Sequence, residues 1–106
     1  MSRLNDKVAI ITGGAGGIGR AAGRLFASEG ANVLLVDLSE AALKDSVKEM
    51  GSNRVSYCVG DVTQPSDNDK FVRIATERYG GVDTFLANAG IEGTSSRGEP
   101  TRWVVT

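Results

Sequence analysis

The feature that most constrains this chain is an apolar run, Val8–Ile11, followed by a glycine-rich turn and a helix-forming segment from about Ile18. Five of the seven residues from Gly13 to Gly19 are glycines. A strand, a tight turn and a helix in this order expose backbone N–H groups at the positive end of a helix dipole. The sequence therefore predicts a phosphate-binding loop. The alternative is a glycine-rich turn that binds no ligand.

Strand-like and helix-like segments alternate along the chain. The predicted strands are 8–12, 33–36, 55–59 and 82–87, and the predicted helices are 18–29, 40–50 and 66–79. This alternation predicts an α/β fold with a parallel sheet. Crossovers between parallel strands are right-handed, so helices 1 and 2 share one face if strands 1, 2 and 3 step outward in one direction. The chain must then cross back to place strand 4 beside strand 1, and we expect the strand order 3-2-1-4 with helix 3 on the other face. Strand 4 would then be an open, apolar edge of the sheet.

Apolar residues at helical spacing predict the buried face of each helix. The predicted inward residues are Ile18, Ala22, Leu25 and Phe26 in helix 1, Leu43, Val47 and Met50 in helix 2, and Phe71, Ile74 and Ala75 in helix 3. Ser39 is placed to cap helix 2, and Glu40 is placed to pair with Lys44. The other charged residues of helix 2 are interpreted as a solvated face.

Composition excludes several classes of site. With no histidine and one cysteine, Cys58, the chain can form neither an internal disulfide nor a Cys/His zinc site, and it has no His-dependent triad. We expect Cys58 to be a buried structural thiol. The net charge of −1 over 106 residues gives no reason to expect a nucleic acid or an anionic membrane as partner. No membrane-spanning run and no signal peptide are recognisable, so the expected location is the cytoplasm.

Asp37 ends the second predicted strand, about 20 residues beyond the glycine-rich loop. A carboxylate there can accept hydrogen bonds from the hydroxyls of an adenosine ribose. It would also repel a 2′-phosphate, and neither Gly16 nor Leu38 supplies a basic side chain to compensate. The pattern therefore favours NAD over NADP. The alternative is that Asp37 only begins the turn before Ser39.

Two further segments follow predicted strands at the same sheet edge. Asp61 could accept from an adenine amino group while Val62 packs on the ring, or Asp61 could mark the start of helix 3. Asn88 could tie neighbouring strand ends together while Ala89 and Gly90 let a ribose approach, or the three could form an ordinary turn. Four strand ends thus converge on one crevice.

Together these residues resemble the short-chain dehydrogenase/reductase family. The resemblance rests on Thr12-Gly13-x-x-x-Gly17-Ile18-Gly19, Asp37, Asp61-Val62 and Asn88-Ala89-Gly90, with Ala87 departing from the usual Asn. It implies a Rossmann-type fold, NAD as cofactor and hydride transfer with an alcohol or carbonyl substrate. The implied cofactor-binding residues are Gly13, Gly16, Gly17, Ile18, Gly19, Asp37, Leu38, Asp61, Val62, Asn88, Ala89 and Gly90.

The catalytic residues that the resemblance implies are a later Asn, a Ser and a Tyr-x-x-x-Lys pair. Tyr57 is followed four residues later by Asp61, and Tyr79 by Asp83, so neither tyrosine fits. We therefore expect no catalytic residue in this chain. Residues 1–93 would be the NAD-binding portion of such an enzyme, a truncated form of it, with 94–106 as a polar tail outside the resemblance.

Two other functions stay open at this point. The chain could be a binding module that holds NAD or another adenine nucleotide without catalysis. It could also be an interaction fragment that pairs with itself or with a longer chain through the edge of strand 4, since an open edge invites strand addition.

Overall fold

The computed structural model describes residues 5–86, which form a four-stranded parallel sheet with helices on both faces. The strands are β1 (Val8–Thr12), β2 (Asn32–Asp37), β3 (Val55–Val59) and β4 (Thr84–Leu86), and the helices are α1 (Gly17–Ser28), α2 (Glu40–Met50) and α3 (Pro65–Tyr79). The strand order is β3-β2-β1-β4 with all pairs parallel. The predicted α/β class and strand order are confirmed.

The two central strands carry the core. All five residues of β1 and the four from Val33 to Val36 in β2 are buried, as expected for strands covered on both faces. On one face α1 and α2 pack over Ile11, Val33 and Leu35. On the other face α3 packs over Ile10 and Leu34, chiefly through Phe71 and Ala75. This distribution of helices is the predicted one.

The predicted inner face of α1 is partly wrong. The side chains of Ile18 and Leu25 are 70% and 57% exposed. The helix instead turns Gly19 and Gly23 inward, and both are buried. A Cβ on Gly23 would lie only 3.1 Å from Leu35 Cδ2, so the helix backbone itself lies close to the sheet. Because glycine contributes no hydrophobicity, an apolar pattern places the helix face incorrectly here.

The charged face predicted for α2 is exposed to solvent, as expected, and two of its residues also contact α1. Asp45 and Glu49 form ion pairs with Arg20 of α1, both at 3.3 Å, and Glu49 also pairs with Arg24 at 2.9 Å. The two helices on this face are thus joined by charge as well as by apolar packing. The predicted cap is confirmed, since the Ser39 hydroxyl accepts from the Ala42 N–H at 3.2 Å.

The two outer strands, β3 and β4, differ in the contacts that side chains make with them. At β3, Lys70 Nζ donates to the Val59 carbonyl at 2.9 Å and Arg78 Nη1 to the Tyr57 carbonyl at 3.3 Å. These carbonyls alternate with those that bond to β2, so side chains of α3 cover the exposed edge of β3. At the opposite side, β4 begins later than predicted, at Thr84, and the Asp83 carboxylate before it accepts from the Val8 N–H at 2.8 Å.

Cys58 is a buried, free thiol, as predicted, and burial raises its pKa. Among residues 5–86, no helix has the length and apolar character needed to span a bilayer.

Candidate functional site

The β1–α1 loop is fixed by its own backbone and by β2. Gly13 has a φ of +67°, a left-handed conformation that favours glycine. The Gly14 N–H donates to the Val36 carbonyl at 3.0 Å, and the Gly16 N–H donates to the Gly13 carbonyl at 3.1 Å. The loop therefore turns sharply after β1 and is anchored across the carboxyl end of β2.

Two glycines of this loop have different roles. A Cβ on Gly19 would overlap the Gly13 carbonyl oxygen, so α1 can begin this close to the loop only with glycine at that position. A Cβ on Gly17 would meet nothing within 4 Å. Protein packing therefore gives no reason for glycine at Gly17.

The N-terminus of α1 suits an anion. Its N-cap is Gly16, no side chain caps it, and no acidic residue lies in its first turn. The first N–H groups of a helix have no acceptor within the helix, and the helix dipole places partial positive charge there. The strand, turn and helix that the sequence predicts are present in this order, and the start of the helix carries no acidic side chain.

Asp37 lies against this loop. Its Oδ2 accepts from the Ala15 N–H at 3.0 Å, and its Oδ1 accepts from its neighbour's N–H, that of Leu38, at 2.7 Å. The Leu38 side chain is 68% exposed beside it. The first bond brings Asp37 and the loop together across 22 residues of sequence. The second is the local turn contact that the alternative interpretation expects.

Arg20 belongs to the same arrangement, although the sequence gives no motif that singles it out. Its Nε donates to the Ala15 carbonyl at 3.2 Å, while its Nη atoms pair with Asp45 and Glu49 of α2. The Ala15 residue is therefore held from both sides, by Asp37 through its N–H and by Arg20 through its carbonyl.

Asp61 and Val62 lie beyond the carboxyl end of β3. The Asp61 carboxylate accepts from the Thr63 N–H at 2.9 Å and from the Thr63 hydroxyl at 2.6 Å, and these bonds lower its pKa. The N-cap of α3 is Gln64, so Asp61 forms a turn before the helix and does not cap it. Val62 is half-buried against the core under α3. The Gly60 N–H donates to the Asp37 carbonyl at 3.0 Å and links this segment to Asp37.

The carboxyl ends of β1 and β4 are also joined. Thr12 is fully buried, and its hydroxyl donates to the Leu86 carbonyl at 3.4 Å. The predicted site residues Asn88, Ala89 and Gly90 follow this point and lie outside the described residues. Of the predicted site, the structure thus brings the loop, Asp37-Leu38 and Asp61-Val62 to one edge of the sheet.

Known proteins are similar to this chain in sequence and in fold. The family model for short chain dehydrogenases matches residues 7–103. An uncharacterized oxidoreductase of Mycobacterium bovis is 46% identical over 91 residues, which cover 85% of this chain and 37% of that protein. Short-chain dehydrogenase reductase 3a of Arabidopsis thaliana is 40% identical over 89 residues, covering 84% of this chain and 35% of that protein.

A solved structure agrees with these relatives. The crystal structure of a short chain dehydrogenase from Mycobacterium smegmatis has a TM-score of 0.79 at 33% identity, over 86% of this chain and 40% of that one. The chain therefore spans about a third of the length of the curated relatives that it matches. The matched range extends past residue 93, where we expected the resemblance to end. Sequence and structure lead to one assignment: the chain belongs to the short-chain dehydrogenase/reductase family.

Proposed function

We propose that this chain is the NAD-binding portion of a short-chain dehydrogenase/reductase, an oxidoreductase that transfers hydride between a nicotinamide cofactor and an alcohol or carbonyl substrate. The observation that carries the proposal is the Asp37 carboxylate, hydrogen-bonded to the Ala15 N–H of the glycine-rich loop beside the N-terminus of α1. The proposed ribose acceptor and the helix end that would hold the phosphates are thus adjacent.

The described residues fit a dinucleotide. The pyrophosphate would be held by the N–H groups at the start of α1, where a Cβ on Gly17 would project into open space. Asp37 would accept from the ribose, and Asp61-Val62 would receive the adenine. Asn88, Ala89 and Gly90 complete the proposed site. The bound nicotinamide would supply the hydride acceptor or donor.

Charge supports NAD over NADP. A 2′-phosphate beside Asp37 would place like charges at contact distance, which costs about 1 kcal/mol per charge pair in water and about 4 kcal/mol near a protein surface. Arg20 bonds to the Ala15 carbonyl beside Asp37, but its guanidinium already pairs with Asp45 and Glu49. This pairing leaves little positive charge to compensate a second phosphate.

The two tyrosines support the proposal that this chain does not catalyse the reaction alone. The Tyr57 hydroxyl donates to Glu40 at 3.0 Å, and this bond raises its pKa, whereas a tyrosine base requires a lowered one. The Tyr79 hydroxyl lies 2.6 Å from the Ser56 hydroxyl, on the face covered by α3. Both tyrosine hydroxyls are thus hydrogen-bonded to side chains of the protein.

Calorimetric titration of the folded, monodisperse chain with NADH and NADPH tests the proposal. We expect saturable NADH binding and NADPH binding weaker by about fivefold or more, which corresponds to at least about 1 kcal/mol. Asp37→Asn should reduce the difference between the affinities for NADH and NADPH. Asp69→Asn, at an exposed carboxylate on α3, should leave that difference unchanged. Absence of NADH binding by the folded chain would reject the binding function, and turnover of secondary alcohols with NAD would reject the claim that it is inactive alone.

Pairing with another chain is a second candidate, and the difference between the sheet edges favours it. Side chains of α3 cover the carbonyls of β3, whereas β4 pairs within residues 5–86 with β1 alone, on one side. Light scattering over a concentration series distinguishes the two candidates. A monomer that binds NADH favours the first, and a dimer that lacks NADH binding favours the second.

A further inference from the structure

We propose that Arg20 is a positioning residue for the glycine-rich loop: it holds the Ala15 carbonyl and fastens the loop to α2. The inference rests on the proposed dinucleotide-binding function and adds a residue that the glycine, Asp37, Asp61 and Asn88 motifs do not include. Three contacts carry it, from one guanidinium to three acceptors: the Ala15 carbonyl at 3.2 Å, Asp45 at 3.3 Å and Glu49 at 3.3 Å.

The burial of Arg20 differs from that of its partners. Its side chain is 25% exposed, whereas Asp45 and Glu49 are 71% and 50% exposed. Arg20 thus lies between α1 and α2 with its donors directed to both the loop and the helix. Arg24, one turn later on α1, also pairs with Glu49, but its side chain is 58% exposed and has no described bond to the loop.

Holding Ala15 has a consequence for binding because the loop is rich in glycine. Glycine loses more conformational freedom on ordering than any other residue, so a loop with glycines on both sides of Ala15 is costly to fix. With Asp37 on the Ala15 N–H and Arg20 on its carbonyl, that ordering is completed before a ligand arrives. A preordered loop binds more tightly because less entropy is lost on association.

The geometry requires arginine. A guanidinium presents five donors in a planar fork, so Nε can serve the carbonyl while the two Nη groups serve two carboxylates. A lysine carries the same charge on a single nitrogen and cannot reach all three acceptors in this arrangement. The role is therefore distinct from simple attraction of a phosphate by positive charge, which lysine would preserve.

Three variants test the role: Arg20→Met, Arg20→Lys and, as matched control, Arg24→Met. Two quantities are measured on each, the Kd for NADH and the rate of solvent exchange of the Ala15 amide in the cofactor-free chain, by NMR. Thermal unfolding checks that each variant is folded. The loss of one hydrogen bond predicts that Arg20→Met weakens NADH binding about three- to tenfold and speeds Ala15 exchange by a similar factor. Arg20→Lys should resemble Arg20→Met, and Arg24→Met should change both quantities less than about twofold.

Equal effects of Arg20→Met and Arg24→Met would overturn the inference, because the ion pairs between the helices would then account for them. Full rescue by Arg20→Lys would also overturn it, in favour of charge alone. The exchange rate separates this inference from the proposed function. If the wild-type chain does not bind NADH but Arg20→Met still speeds Ala15 exchange, the positioning role stands and the cofactor assignment fails. If exchange is unchanged, the positioning role fails whatever NADH does.

Discussion

Gly17 and Gly19 lie two residues apart at the start of α1, yet substitution by alanine should have opposite consequences at the two positions. At Gly19 the new Cβ would overlap the Gly13 carbonyl oxygen and lie 2.8 Å from the Gly13 carbonyl carbon and 2.9 Å from Gly14 Cα. All three are backbone atoms, which no rotamer change can move. At Gly17 the new Cβ would have no neighbour within 4 Å.

The magnitudes follow from these contacts. Overpacking against a rigid neighbour costs about 1–3 kcal/mol, so Gly19→Ala should lower the free energy of unfolding by that amount. Gly17→Ala adds no clash and restricts the unfolded chain, so stability should be unchanged or higher by up to about 1 kcal/mol. NADH binding should respond to Gly17→Ala all the same, because the methyl group projects where the phosphate would approach. We expect a loss of about tenfold or more, equivalent to at least about 1.4 kcal/mol.

Urea unfolding, monitored by circular dichroism, measures the effect on stability. Titration with NADH measures the effect on binding. Gly81→Ala is the matched control, because its Cβ also meets nothing within 4 Å and the position is remote from the loop. It should retain both stability and affinity. If Gly17→Ala binds NADH as tightly as the wild-type chain, the inference that glycine makes room for a ligand there is wrong. If Gly19→Ala is as stable as the wild type, the close approach of loop and helix is wrong.

Three other perturbations address the fold and the charge of the site. Ser39→Ala removes the cap of α2 and should lower the free energy of unfolding by about 1 kcal/mol in urea titrations. Phe71→Ala empties a fully buried position and should cost about 3–5 kcal/mol, against little change for Val72→Ala, which is 42% exposed. Thr63→Val removes a hydroxyl that lowers the pKa of Asp61 below its usual 3.8, so an NMR titration should show that pKa rise. The stability from this bond is present above about pH 3.8 and is lost as the pH falls through the native pKa, so the variant should differ from the wild type least in acid.

Much of the fold was predictable because its signals are local. The run Val33–Val36 is apolar without alternation, and all four residues are buried between α1 and α2 on one face and α3 on the other. The ends of α2 coincide with residues that begin or end a helix by a local interaction. The Ser39 side chain caps its start, and Gly51, in a left-handed conformation, ends it. The faces on which the helices lie followed from the handedness of the crossovers once the first three strands were taken to step outward in one direction, and that handedness depends on the chirality of the chain and not on which side chains are present.

The parts that could not be predicted depend on distances between segments remote in sequence. Ile18 and Leu25 have the spacing of a buried face, but α1 approaches the sheet through Gly19 and Gly23, which carry no hydrophobic signal. The three contacts of Arg20 likewise join α1, the loop and α2, and the nearest carboxylate involved is 25 residues away. No spacing rule along one helix could indicate that pairing.

The proposed cofactor preference and the order of the loop would be coupled through Asp37. Its Oδ2 is bonded to the Ala15 N–H, while the same carboxylate is the proposed ribose acceptor and the charge that would repel a 2′-phosphate. A neutral, shorter replacement that admitted NADPH would remove the acceptor that fixes Ala15 and would leave only Arg20 on its carbonyl. Removing the repulsion would then also loosen the loop on which both cofactors depend. A substitution that keeps an acceptor within reach of Ala15, such as Asn, should therefore gain more NADPH affinity than alanine does, although both remove the same charge.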